Sequence, residues 1–151
     1  MQALELPLVA QSLDYTCAAA CFDSMFRFFH GHSPGEMHFA KELGTLELGY
    51  TPPENVFMLA QTHNFNVLLK EKQNLSVLKR HFAQGNVIFV TWWDEDAGHY
   101  SLVQAMEGET IILMDPWKAR EDCFLALPLK EFLRNWNSRG AKMICVSPLH
   151  T

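Results

Sequence analysis

At 151 residues, with 48% hydrophobic and 19% charged side chains, the chain reads as one domain, 1–151, able to bury roughly two-thirds of its unfolded surface in a single core. A net charge of −5 without a Lys/Arg cluster argues against a nucleic-acid or anionic-membrane surface. Four cysteines are too few for a disulfide scaffold, and the first ten residues lack a positive n-region and are interrupted by Glu5 and Pro7, so neither a signal peptide nor a membrane span is read there and a cytoplasmic address with reduced thiols is expected.

Residues 4–9 read as a short arm or edge strand, because Pro7 cannot donate to a central ladder. From 17 to 30 the apolar residues Ala20, Cys21, Met25, Phe28 and Phe29 recur at helical spacing, with Asp23, Ser24 and Arg27 on the polar side and Gly31 as the stop. Asp14 or Thr16 is placed to cap that helix. Ser33-Pro34-Gly35-Glu36 opens a second helix, to about residue 43, through a Ser-x-x-Glu capping pattern with Pro at its first position. Thr51-Pro52-Pro53-Glu54 repeats the signal for a third, to about residue 63. Strands follow at 65–70, 86–93, 99–105, 110–114, 123–127 and 142–147, with helices at 75–83 and 129–137. Helices first and then a mostly antiparallel sheet make an α+β fold.

Cys17 stands where the turn-forming segment Gln11-Ser12-Leu13-Asp14-Tyr15-Thr16 runs into an Ala-rich helix. The unpaired N–H groups of a helix start stabilise a thiolate, and with a base nearby such a position lowers a thiol pKa from about 8.5 to between ~3.5 and ~7.5. The same pattern suits a small buried cysteine that only packs. The decision rests on whether a base faces it.

His99 supplies one. It follows the polar loop Asp94-Glu95-Asp96-Ala97-Gly98 and opens a strand, whereas His30, His32, His38 and His150 read as loop or surface residues and His63 and His81 fall near helix ends. Met106-Glu107-Gly108 suits a three-residue hairpin with Gly108 left-handed. That turn pairs Ala105 with Glu109 and sets His99 directly opposite Asp115, with Cβ atoms about 5 Å apart. A two-residue turn would move Asp115 to the other face. Nucleophile, base and orienting carboxylate are the three parts of acyl-transfer chemistry. Gln11 lies close enough before Cys17 to aim its amide at whatever the sulfur attacks.

Cys17 and Cys21 also share a helical face and could begin a metal site with His30, His32 or His38. No second short-spaced Cys or His pair completes it, and Cys123 and Cys145 sit among strand residues. Neither metal nor cofactor is expected.

In the order Cys, His, Asp, these positions resemble the papain-like cysteine peptidases, and more closely the bacteriocin-processing peptidases that remove double-glycine leader peptides. Asp14-Tyr15-Thr16-Cys17-Ala18-Ala19-Ala20-Cys21, followed by Met25, Phe29 and Gly31, is similar to that family's nucleophile helix, with Gln11 at the place of its oxyanion-hole glutamine. Val87-Ile88-Phe89-Val90-Thr91-Trp92-Trp93, a loop, and Gly98-His99-Tyr100-Ser101-Leu102-Val103 resemble its strand, loop and His-aromatic-x-x-Val segment. Asp115-Pro116 matches its Asp-Pro motif, and 129–136 fits the helix that follows. Ala18 stands where the family usually has glycine.

The resemblance spans most of the chain and implies a papain-like fold. It also implies a peptide or amide substrate cleaved through a thioester on Cys17, with His99, Asp115 and Gln11 completing the site. The transporter domains to which many such peptidases are fused are not in this chain, so a separate transporter or secretion component is the expected partner. Tyr15, Trp92, Trp93, Tyr100 and Trp117 are the aromatics expected along a peptide groove, unless they serve the core; of Trp92 and Trp93, adjacent on a strand and facing opposite ways, at least one should be buried. The rival is a peptide-binding module of the same fold that does not cleave; the presence of both Cys17 and His99 favours the enzyme.

Overall fold

The computed structural model describes residues 3–93 and 99–149; the polar loop read at 94–98, with Gly98 of the histidine segment, and His150 lie outside the described residues. Four helices come first: α1 (Cys17–His30), α2 (Glu36–Glu42), α3 (Thr45–Leu48) and α4 (Pro53–Thr62). Then follow β1 (Phe65–Lys70), α5 (Leu75–Ala83), β2 (Val87–Trp93), β3 (His99–Glu107) and β4 (Thr110–Met114). A 3-10 turn (Lys118–Glu121), β5 (Leu125–Pro128), α6 (Leu129–Ser138) and β6 (Met143–Pro148) complete the order. The six strands form one sheet, β1-β6-β2-β3-β4-β5, with each neighbouring pair antiparallel. This is the expected α+β arrangement. Only α3 and the 3-10 turn, too short to show a period, were not expected.

α1 ends where Gly31 turns left-handed, its N–H donating to Arg27 O at 2.8 Å. Three alanines, Ala18 to Ala20, are completely buried, and their small side chains let α1 pack against β3 and α2. Phe22 then wedges between Phe39 at 4.7 Å and Phe89 at 6.4 Å between ring centroids; burying such a ring contributes about 1.5–3 kcal/mol. α6 packs on β2, where Phe132 stacks on Trp136 and lies 6.2 Å from Trp92.

The capping expectations need correction. The one side-chain cap among the described residues is at a residue not read as such: Asn74 caps α5, accepting from Val77 N at 3.0 Å. Thr16 is the residue before α1 but makes no side-chain cap bond. Ser33 and Glu36 form no capping box: Ser33 accepts from Gly35 N at 3.0 Å, and the Glu36 carboxylate turns away to residues 12 and 16. Thr51 hydrogen-bonds Thr45 at 2.6 Å instead of capping α4.

The β3–β4 hairpin also departs from expectation. Glu107 pairs with Thr110, so the turn has two residues, with Gly108 at φ 58. On its own this would carry Asp115 to the face opposite His99. A bulge at Gln104 prevents it: Ala105 pairs with Ile112, but beyond the bulge Val103 pairs with Leu113 and Leu102 with Met114. One extra residue on β3 returns odd positions of both strands to a common face. Continued one step, the register sets Ser101 across from Asp115 and leaves His99 on the diagonal. Gln104 also docks the amino-terminal arm, accepting from Leu4 N at its carbonyl (2.9 Å) and from Leu6 N at Oε1 (3.2 Å), beside an Ala3–Ala105 bridge.

Candidate active site

Cys17 is the first residue of α1 and is buried. No side chain caps this helix start and no acidic residue sits in its first turn, so its positive end remains available to an anion. The loop before it is held from three directions. Glu36 accepts from Ser12 N and Ser12 Oγ at 2.7 and 2.6 Å, and from Thr16 Oγ1 at 2.7 Å. Gln11 N donates to Pro116 O at 3.1 Å, and Gln11 O accepts from Arg120 Nε at 3.2 Å. The segment after Asp115 is thereby fastened to the segment before Cys17.

His99 begins β3, is buried, and bonds through Nε2 to Asp115 Oδ1. Nδ1 is the ring nitrogen that Asp115 does not engage, and Cys17 is near enough to bear on the imidazole. Burial opposes the imidazolium, but the hydrogen bonds and charges of Asp115 and Cys17 outweigh it and push the His99 pKa up to about 9. Burial likewise disfavours the Asp115 carboxylate, yet His99, the Ser101 hydroxyl and Lys118 N–H hold its pKa below the ordinary range. Ser101 Oγ donates to Oδ1 at 2.7 Å and Lys118 N to Oδ2 at 2.9 Å. Trp92 Nε1 in turn donates to Ser101 Oγ at 2.8 Å.

Cys21, one turn below Cys17, is completely buried, and burial followed by the charges of Cys17 and Asp115 pushes its thiol well up. It packs. His30 sits thirteen residues beyond Cys17 on one helix, about 20 Å away, and is stacked on Phe26. His38 pairs with Glu42 at 3.0 Å. Among the described residues no group of three His, Cys, Asp or Glu side chains could hold a metal.

Gln11 is buried and its Nε2 donates to Leu13 O (2.8 Å) and Asp14 O (3.1 Å), while Oε1 is buried without a partner among the described residues. Of the five aromatics, Tyr15, Trp93 and Trp117 are exposed, at 37%, 53% and 47%, and Trp92 is buried. Tyr100 is 2% exposed and donates to Thr51 O at 2.8 Å. Trp92, Trp93, Trp117 and Leu125 wall a pocket of about 170 Å³ beside His99 and Asp115. The Trp93 ring meets His99 edge-on at 5.5 Å, and Arg120 covers Trp117 at 3.9 Å.

Sequence reasoning passed over Ser101 as a site residue, read Glu36 only as a helix cap, and left Trp92 between groove and core. Period two puts Ser101 on the His99 face, which was a readable signal. The reach of Glu36 to a loop 24 residues earlier had no local signal.

The sequence matches none of the curated proteins with which it was compared. Solved structures are close in fold. The peptidase domain of Streptococcus ComA, a bifunctional ABC transporter of a quorum-sensing pathway, superposes with a TM-score of 0.79 at 15% identity, over 96% of this chain and 100% of that one. A double-glycine-motif protease from an AMS/PCAT transporter, solved with its leader peptide, gives 0.79 at 17% identity over 97% and 94%. A protein described as a C39-like peptidase from Bacillus anthracis gives 0.76 at 15% identity over the whole of both chains. The profile of the peptidase C39 family matches residues 5–148, and the chain belongs to that family.

Proposed function

We propose that the protein is a cysteine peptidase or amidohydrolase whose thioester forms on Cys17. The observation that carries this reading is a thiol at an open helix start, near enough to bear on an imidazole whose Nε2 is bound to a buried carboxylate. With its pKa about 9, His99 is an imidazolium at neutral pH and pairs with a thiolate.

The sulfur bonds to the carbonyl carbon, and the π pair of the C=O bond moves onto the oxygen. The Cys17 backbone N–H and the Gln11 amide receive that oxyanion, Gln11 exchanging one of its two loop carbonyls for it. Collapse breaks the C–N bond, and His99 gives its proton to the departing amine. Neutral His99 then takes a proton from water as it attacks the thioester, which restores thiolate and imidazolium. Asp115 keeps the imidazole oriented throughout. A different amine in place of water would make the reaction a transfer.

The substrate is a peptide. Family membership and the leader-bound structural relative support a chain with a double-glycine leader, cleaved on the cytoplasmic side and handed on to a transporter or secretion component. Exposed Tyr15, Trp93 and Trp117 line the groove, and the pocket beside His99 lies on the leaving-amine side. Tyr100 is the strut behind it. Residues 1–151 act as a single domain.

The test is the rate of Cys17 alkylation by iodoacetamide across pH in the parent and in His99→Ala. The reading expects reaction to persist below about pH 7 in the parent and to fall at least about tenfold there in the variant. Superimposable profiles would sink it and leave the non-cleaving peptide binder.

A further inference from the structure

We propose that Ser101 and Trp92 are positioning residues of the site, acting through Asp115 to fix the imidazole that faces Cys17. The inference rests on the reading of Cys17 and His99 given above.

Direction is built into the chain of hydrogen bonds. An indole N–H only donates, so across the 2.8 Å contact Ser101 Oγ must accept from Trp92 Nε1. The one hydroxyl hydrogen is then committed to Asp115 Oδ1, 2.7 Å away. Ser101 is completely buried and Trp92 nearly so, so the hydroxyl is held by these two side chains. Asp115 Oδ1 faces two donors, the Ser101 hydroxyl and His99 Nε2, and Oδ2 takes the Lys118 N–H. An ionised carboxylate satisfies all three; a protonated one would have to set its own hydrogen against a donor.

The geometry that allows this is local and specific. Trp92 is the bulged residue where the β2–β3 register slips between Thr91 and Trp93, and a bulge re-aims the side chain it carries. Ser101 is the cross-strand position opposite Asp115 only because of the second bulge, at Gln104. The titratable groups around the carboxylate and its imidazole are His99 itself from β3, Cys21 from α1, which feels Asp115, and Cys17 from α1, which bears on His99; the Lys118 ammonium is turned to Glu121 at 3.1 Å. A serine that served packing alone would tolerate alanine. This one, once removed, leaves a buried indole N–H unpaired and takes a donor from the carboxylate.

The experiment compares Cys17 alkylation profiles of the parent, Ser101→Ala, Ser101→Thr and Trp92→Phe, with thermal melts to confirm folding. Ser101→Ala is expected to move the acid limb of the profile up by about one pH unit, a loss of roughly tenfold in rate near pH 6. Ser101→Thr, which keeps the hydroxyl, restores the parent profile. Trp92→Phe falls between, because the hydroxyl is then free to rotate away. If Ser101→Ala fails to fold, Trp92→Phe decides alone. A parent-like profile in a folded Ser101→Ala or, failing that, in Trp92→Phe overturns the proposal while the His99 dependence of the parent stands. A parent insensitive to His99→Ala instead removes the functional reading beneath it.

Discussion

Glu36 grips Ser12 with both carboxylate oxygens, one on its backbone N–H and the other on its hydroxyl, and adds Thr16 from the same side. The helix that carries Glu36 thus fixes the six-residue approach to Cys17. Charge-assisted hydrogen bonds of this kind contribute roughly 1.5–3 kcal/mol where they are shielded from water, and Glu36 is half-buried. Glu36→Ala is expected to lower unfolding free energy by about 1–2 kcal/mol in urea titrations and to slow alkylation of Cys17. Glu36→Gln, which retains one acceptor, should lose less of both. A variant as stable as the parent would show that the clasp is a surface contact without weight.

Tyr100 is a strut between β3 and the start of α4, with its hydroxyl on Thr51 O. Burial, followed by the charges of Cys17, Glu54 and Cys21, pushes its phenol well above the ordinary value, so it stays a neutral donor. Tyr100→Phe removes one buried hydrogen bond and leaves a carbonyl unpaired, for a loss of about 1–2 kcal/mol. Alkylation of Cys17 by a small reagent should be unchanged. A loss of peptide affinity at unchanged stability would instead return Tyr100 to the groove.

The Gln104 bulge accounts for what sequence could and could not show. Hydrophobic alternation and turn residues locate β3 and β4 to within two residues, and Cys17 at a helix start, His99 at a strand start and Asp115 just past a strand all follow from those elements. Register does not follow, because it depends on where the extra residue is absorbed. The three-residue turn led to a facing His99–Asp115 pair; a two-residue turn and a bulge reach the same face by another path. The diagonal is long, but an imidazole spans it. Ser101 takes the facing position, which no turn rule alone reveals.

That bulge has its own test. Gln104 Oε1 is the acceptor for Leu6 N, and its carbonyl serves Leu4 N. Gln104→Ala should free the arm beyond residue 4 and cost about 1 kcal/mol. Amide exchange at Leu6 is the sensitive readout, expected to speed up at least about tenfold. Protection at Leu6 equal to that of the parent would mean that the arm is held by its apolar side chains, Leu4 and Leu6, which are both buried.

The His99–Asp115 pair sets a pH window for stability. His99 is raised from an ordinary 6.5 to about 9, so its contribution is complete below about pH 6.5 and is lost as pH rises through about 9. Asp115 is lowered from an ordinary 3.8, so its share is complete above that value and is lost as pH falls through the lower folded one. The two shares describe one interaction and are not summed. At about 1.4 kcal/mol per unit, the alkaline loss is on the order of 3 kcal/mol at most. His81, lowered by burial and by Arg80 and Lys70, changes charge below 6.5 and stays outside the alkaline window. Urea titrations from about pH 6 to about pH 9.5 should therefore show the parent losing more stability than Asp115→Asn, which is already weakened at the acid end and keeps only the decline due to the buried thiols Cys21 and Cys145. Parallel declines in the two proteins would place the alkaline loss elsewhere, in the buried thiols Cys21 and Cys145, whose pKa values burial pushes up, and remove the buried pair as its cause.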